Sequence, residues 1–188
     1  MATKIAVFAS GRGSNFQAIQ EAIERGELDA KVELVVTDKP SSYVVTRADN
    51  FGIPVHAFTA KSYESKEAYE AEIVSLLRDK QVEWIVLAGY MRLVGKTLLS
   101  AFSNRIVNIH PSLLPSFPGK DAIGQAMDHG VKVTGVTVHL VDEGMDTGPI
   151  LSQAAIEVVD GNREETENRI HAMEHVLYTK TLKQLFEK

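Results

Sequence analysis

The chain has 188 residues, 44% of them hydrophobic and 24% charged, with a formal net charge of −5 and no cysteine. That length suffices for one domain, spanning residues 1–188, with a sizeable core. The absent cysteines exclude disulfides, thiol catalysis and thiolate metal sites, and the acidic balance argues against a partner such as nucleic acid or an anionic membrane, which needs a basic face.

The N-terminus runs straight into an apolar strand, Lys4–Ala9, and lacks a secretory cleavage pattern. No apolar run approaches the roughly 20 residues that cross a bilayer, so the cytoplasm is the expected compartment. Phe16, Ile19 and Ile23 recur at helical spacing over Asn15–Arg25, and Gly26 ends that helix. Lys31–Thr37 reads as a second strand, Ser42–Phe51 as a helix, and Val55–Phe58 as a short strand after a Gly-Ile-Pro turn. Glu64–Lys80 places Tyr69, Ile73, Leu76 and Leu77 on one helical face. A strand over Glu83–Ala88, a short helix over Gly95–Phe102, a strand over Arg105–Ile109 and a helix over Asp121–Asp128 follow. Thr134–Val141 alternates like a half-exposed strand, Ile150–Val158 reads as another, and Arg163–Phe186 is a long helix with Ile170, Met173, Leu177 and Leu185 along its stripe.

Strands apolar on both faces, alternating with helices, predict an α/β fold: a mostly parallel twisted sheet covered on two sides. The last strands lack intervening helices and are expected to be antiparallel or mixed. Ligands of such sheets bind at the carboxyl ends of strands. The unusual sequences fall at such ends: Ser10–Asn15, Gly89–Val94 and Asn108–Gly119.

The first of these, SGRGSN, allows tight backbone turns at Gly11 and Gly13, while Ser14 and Asn15 suit a helix N-terminus whose free N–H groups attract anions. A phosphate cradle is expected, against the plainer reading of a strand-to-helix turn. A dinucleotide site would want a third glycine where Phe16 stands, although Asp38 lies at the right distance for its ribose-binding acid.

In NIHPSLLPSFPG, residues two apart on a strand share a face, so Asn108 and His110 project side by side, and Pro111 fixes the exit. Asn can donate to an oxygen gaining negative charge, and His can give and take a proton near neutral pH. That pairing suits acyl transfer. Asp146, bracketed by Gly144 and Gly148-Pro149, is a candidate for the carboxylate that orients such a His, with turn formation as the alternative. His56 and His129 look structural, and His139 is either core or a support for the site. HAMEH at 171–175 spells the H-x-x-E-H of a zinc-protease helix, but no third ligand follows it. His171 is therefore expected at the surface, while Glu174 and His175 sit on a helix that could line the cleft.

Together, FASGRGSNFQAI, LAGYMRLV, NIHPSLLPSFPG and VTVHLVDEGMDTGPIL resemble the phosphoribosylglycinamide formyltransferase family, folate-dependent enzymes of purine synthesis, over residues 3–178. The N-x-H-P-S-L-L-P and D-x-G-P patterns are shared more widely among 10-formyltetrahydrofolate enzymes; the S-G-x-G-S-N loop favours the glycinamide enzyme over methionyl-tRNA formyltransferase, and formyltetrahydrofolate deformylase is the less expected relative because it usually carries an extra N-terminal regulatory domain. The resemblance implies a single Rossmann-like formyltransferase domain. It implies Asn108, His110 and Asp146 as catalytic residues, with Asp146 favouring the protonated form of His110 and ordering water. Gly13, Ser14 and Asn15 would hold the substrate phosphate, and Glu174 would contact the ribose. Met91, Arg92, Leu93 and Val94 would meet the folate largely through backbone groups, together with Asn108 and with Val141 and Asp146 from a loop over the pterin. Lys66 is expected among the folate-binding residues, at a position where some relatives carry Arg: charge is kept and the planar fork is lost.

The implied reaction passes the formyl group of 10-formyltetrahydrofolate directly to the amino group of 5-phosphoribosylglycinamide (GAR) through a tetrahedral intermediate, without a metal. A deformylase, a non-catalytic nucleotide-binding module and a zinc hydrolase are the alternatives, and monomer and homodimer both stay open.

Overall fold

The computed structural model describes residues 1–188. Its strands are β1 (Thr3–Phe8), β2 (Ala30–Thr37), β3 (Val55–Ala57), β4 (Trp84–Leu87), β5 (Ile106–His110), β6 (Val133–Leu140) and β7 (Ile150–Glu157). Its helices are α1 (Ser14–Glu24), α2 (Tyr43–Asn50), α3 (Lys66–Asp79), α4 (Lys96–Ala101), α5 (Ala122–His129) and α6 (Arg163–Phe186). Every expected element is present, with ends displaced by at most two residues. The one addition is a 3-10 turn at Ala60–Ser62.

The sheet order is β3-β2-β1-β4-β5-β6-β7. β1 to β5 run parallel, and β6 and β7 are antiparallel to their neighbours. Ile5–Phe8 of β1 and all of β4 are apolar because both of their faces are covered. On one face α1, α2, α5 and α6 bury Phe16, Ile19, Val44, Ile170 and Tyr178 against Val7, Val86 and Val107. On the other, α3 and α4 bury Tyr69, Ile73, Leu77 and Leu98 against Phe8, Ile85 and Ile106.

Two features of this topology make a site. The chain leaves β1 toward β2 and later returns to β4 on the other side, so the connections diverge and leave a crevice beyond the carboxyl ends of β1 and β4. Past Val86 and Val107 the β4–β5 ladder also ends. There the hydroxyl of the fully buried Tyr178 on α6 reaches the carbonyl oxygens of Leu87 and Val107, at 2.7 and 3.1 Å. A polar side chain thus satisfies backbone that the parting strands leave behind.

The β5–β6 pairing sets Asn108 opposite His139 and His110 opposite Thr137. The Pro111–Gly119 loop covers β6 here: Leu113 packs on Gly135, and the Thr137 hydroxyl donates to Ser112 O at 2.7 Å and accepts from Leu114 N at 3.0 Å. Between β6 and β7 the register slips at Val138/His139. Such irregularities re-aim side chains, and they gather next to sites.

Candidate active site

A cleft of about 710 Å³ opens along the carboxyl ends of β1, β4 and β5. It is walled by the glycine loop, the segment Leu87–Val94, the end of β5, the Gly119–Ile123 turn, the loop around Asp146, and His171 and Glu174 of α6. The three stretches singled out by sequence meet here.

At one end, α1 starts without a side-chain cap: Gly13 is its N-cap, with φ 75°. No main-chain carbonyl accepts from the N–H groups of residues 11–16. Unpartnered first-turn donors plus the helix dipole make an anion site. Gly13 also satisfies a packing demand, since a Cβ there would lie 2.6 Å from Val44 Cγ2 on α2.

Glu174 reaches this end from α6. It is 6% exposed, and its Oε2 accepts from Asn15 Nδ2 at 3.3 Å. Burial pushes its carboxyl up to about 7, against the lowering influence of the Asn15 amide. The Asn15 Oδ1 is buried without a partner, so the pair has unspent hydrogen-bonding capacity facing the cleft.

At the centre, His139 Nδ1 lies 2.9 Å from the carbonyl oxygen of Leu140. A carbonyl only accepts, so Nδ1 carries the proton, and Nε2 of the neutral ring is an acceptor. Asn108 Nδ2 sits 3.4 Å from that Nε2. His139 therefore fixes which way the Asn108 amide points, and the second Nδ2 hydrogen remains for a ligand. His110 Nε2 lies 2.9 Å from the carbonyl oxygen of Phe117, and its Nδ1 lies 3.5 Å from Asp146 Oδ2. Asp146 has φ 56° and is held by the Gly119 N–H, which donates to Oδ2 at 2.8 Å. Its Oδ1 lies 3.8 Å from His139 Nε2. One carboxylate from a distant loop thus stands between both histidines.

At the far end, the N–H and C=O groups of Arg92, Leu93 and Val94 make no hydrogen bond within the chain. Met91 and Leu93 are exposed, and with Val141 and Met145 they give this part of the cleft an apolar wall. Lys66 does not line the cleft. It lines an adjoining depression of about 430 Å³ with Arg92, Ser65 and Tyr69.

Sequence reasoning left His139 open between core and support, and gave Phe117 no role. The His139–Asn108 pairing depends on antiparallel register, and Phe117 acts through a backbone carbonyl, so neither leaves a local signal. Asp38 does not offer a free carboxylate to a ribose: its oxygens take Ser10 Oγ at 2.5 Å and Arg92 Nε at 3.0 Å. His171 is exposed on the cleft wall, as expected. His175 is half-buried, its Nε2 has no partner, and burial pushes its pKa below the ordinary value. No group of three or more His, Asp or Glu side chains is arranged to hold a metal ion.

The formyl transferase family matches residues 3–182. The chain is 57% identical over 183 residues to the phosphoribosylglycinamide formyltransferase of Bacillus subtilis (strain 168), covering 97% of this chain and 94% of that one. It superposes on glycinamide ribonucleotide transformylase 1 from Geobacillus kaustophilus with a TM-score of 0.96 at 55% identity, covering 98% of this chain and 99% of that chain. The phosphoribosylglycinamide formyltransferase from Bacillus halodurans gives a TM-score of 0.96 at 53% identity, covering 99% of this chain and 96% of that chain. Identity of this order along nearly the whole length, with the same fold, means that the chain belongs to the phosphoribosylglycinamide formyltransferase family.

Proposed function

We propose that this protein transfers the formyl group of 10-formyltetrahydrofolate to the amino group of GAR in purine biosynthesis, as a single formyltransferase domain working in the cytoplasm. The observation that carries the proposal is the convergence of Asn108, His110 and Asp146 midway along a cleft with an anion site at one end and open backbone groups at the other.

The first-turn N–H groups of α1, with Gly13, Ser14 and Asn15, take the phosphate, and Glu174 takes the ribose hydroxyls. The free N–H and C=O groups of Arg92, Leu93 and Val94 fit the donor and acceptor edge of a pterin, with Val141 against its face. Lys66 and Arg92 place positive charge beside the depression that adjoins this end. The folate supplies the formyl carbon. Holding both substrates turns an encounter into a positioned reaction and lowers the barrier by several kcal/mol, an effect of roughly 7–11 kcal/mol at its largest.

Asn108 donates its free Nδ2 hydrogen to the oxygen that gains negative charge. A donor preorganised in this way contributes about 3 kcal/mol. His110 works at Nδ1. With Nε2–H committed to Phe117, Nδ1 accepts the proton shed by the attacking amine and returns it to the departing folate nitrogen. Asp146 stabilises the imidazolium in between and orients the water that relays the proton.

The test is an ultraviolet assay of 10-formyltetrahydrofolate consumption with and without GAR, on the wild type and on His110→Ala. Turnover that requires GAR and is lost in the variant supports the transferase. Turnover without GAR makes the protein a deformylase, and no turnover by folded wild type removes the catalytic reading.

A further inference from the structure

We propose that Asp38 is a positioning residue that clamps the folate-side segment Met91–Val94 to the end of β1, and so sets its distance from the glycine loop. The proposal rests on the assignment of that segment to folate under the function argued above.

Asp38 follows the carboxyl end of β2, and its side chain is 4% exposed. In dinucleotide-binding sheets an acid here faces outward to a ribose. In this protein it faces inward and both oxygens are engaged. Oδ1 accepts from the Ser10 hydroxyl at 2.5 Å, and the same hydroxyl oxygen accepts from the Met91 N–H at 2.9 Å. Oδ2 accepts from Arg92 Nε at 3.0 Å, and the Arg92 guanidinium lies 5.8 Å over the Tyr69 ring of α3. Ser10 immediately precedes the glycine loop, and its N–H donates to Gly89 O at 2.9 Å. Two consecutive residues of the 91–94 segment are thus tied to one buried carboxylate, one directly and one through Ser10.

The need for such a tie follows from what the segment lacks. Arg92, Leu93 and Val94 make no hydrogen bond of their own backbone within the chain. Groups left open for a ligand cannot also hold the segment in place, so the holding falls to side chains behind it. A site must be fixed within about 0.5 Å to act on a bound reactant. The Ser10–Met91 and Asp38–Arg92 bonds restrain the segment from behind.

Asp38→Asn keeps the size and an acceptor for Ser10 but removes the charge facing Arg92. Ser10→Ala removes the bridge and keeps the Asp38–Arg92 pair. For Asp38→Asn, the KM for 10-formyltetrahydrofolate is expected to rise about tenfold while the KM for GAR stays within about twofold, because mispositioning of one segment costs one substrate. Ser10→Ala moves the same constant in the same direction by less. The double variant is worse than Asp38→Asn alone, because Asp38→Asn releases Arg92 and Ser10→Ala releases Met91, so the two changes cut different bonds to the same segment. Within the 89–95 peptide the amide bonded to the tether is Met91, and its hydrogen exchange is expected to quicken about tenfold in Ser10→Ala and by less in Asp38→Asn, with the β5 peptide unchanged.

A lowered Tm with both KM values and the 89–95 exchange unchanged would make Asp38 a merely structural ion pair and overturn the clamp. Equal rises in both KM values would overturn it too. If Asp38→Asn does not fold, Ser10→Ala decides by the same two readouts. A wild type that turns over folate without GAR overturns the transferase and leaves the clamp to be judged on the folate KM. A wild type with no turnover leaves it to be judged on exchange alone.

Discussion

His110 points its Nε2 at the carbonyl oxygen of Phe117, 2.9 Å away, and its Nδ1 at Asp146, 3.5 Å away. The two contacts are not equivalent. Because the carbonyl can only accept, it keeps a proton on Nε2, and the proton that comes and goes is the one on Nδ1. Phe117 adopts φ 52°, a left-handed conformation that a bulky side chain rarely takes, and the buried Ser112 hydroxyl donates to Ser116 O at 2.6 Å and to Phe117 O at 3.3 Å. The proline-rich stretch after β5 thus serves to present one carbonyl to one ring nitrogen.

The neutral form of His110 is therefore expected to be the Nε2–H tautomer. Nitrogen-15 spectra of the imidazoles, with His110 identified by its loss in His110→Ala, check this directly. A neutral ring protonated at Nδ1 would contradict the geometry. The same variant should lose about 10²–10⁴ in kcat, the range for removal of a positioned acid–base group, with the GAR KM changed little because His110 lies away from the α1 end.

Glu174 gives a stability prediction with a definite sign. Burial raises its carboxyl from 4.5 to about 7. The unfolded chain releases this proton near pH 4.5 and the folded chain near pH 7. In between, the folded state holds the extra proton, so the contribution of Glu174 to stability falls as pH rises through this window. Above the folded pKa the cost is complete, on the order of 3 kcal/mol. Glu174→Gln removes the slope. The variant should match the wild type near the acid end, exceed it by up to about 3 kcal/mol at pH 8, and bind GAR more weakly. Urea unfolding of both proteins at several pH values tests this; a stability difference that does not grow with pH would refute the buried-acid account.

Much of this site was legible because it depends on local rules. The side-by-side projection of Asn108 and His110 follows from strand alternation alone. The glycine loop follows from Gly11 and Gly13 between a strand and a helix. Glu174 was singled out by its seat on a helix that could line the cleft and by the family resemblance, and α6 does bury it. What was not legible depends on pairing across the chain. Nothing near His139 says that it will face Asn108. Phe117 contributes a carbonyl that any residue possesses. Asp38 carried the right spacing for an outward-facing acid, and only the arrival of Ser10 and Arg92 from the loops after β1 and β4 turned it inward. Lys66 kept the expected charge, but α3 places it beside the neighbouring depression.

Gly13 and Gly11 look alike in sequence and should respond differently to alanine. A Cβ on Gly11 meets nothing within 4 Å, whereas one on Gly13 would lie 2.6 Å from Val44 Cγ2 with φ already at 75°. Backbone strain and overpacking together put the cost of Gly13→Ala at roughly 2–4 kcal/mol, with weakened phosphate binding. Gly11→Ala should cost under about 1 kcal/mol. Adding Val44→Ala to Gly13→Ala removes the 2.6 Å contact with Cγ2 but leaves the 2.9 Å contact with the Val44 Cβ and the φ strain, so it should return only a small part of the loss. Thermal unfolding of the three variants separates the terms, and equal effects at the two glycines would show that the approach of α2 is not the constraint.

Tyr178 connects the fold to the floor of the cleft. Its hydroxyl serves Leu87 O and Val107 O where β4 and β5 part, and the ring is fully buried. Tyr178→Phe keeps the ring and removes the donor from two carbonyls in a place that water does not reach. Buried acceptors left short of a donor cost about 1–3 kcal/mol, and the cavity left by one oxygen is too small to repay it with a bound water. The expected result is a lower urea midpoint with an unchanged m-value, and a smaller fall in kcat than His110→Ala gives, because Leu87 and Ala88 line the cleft but carry no chemistry. An unchanged midpoint would mean that the parting strands close over the gap by themselves, and that Tyr178 is held by packing alone.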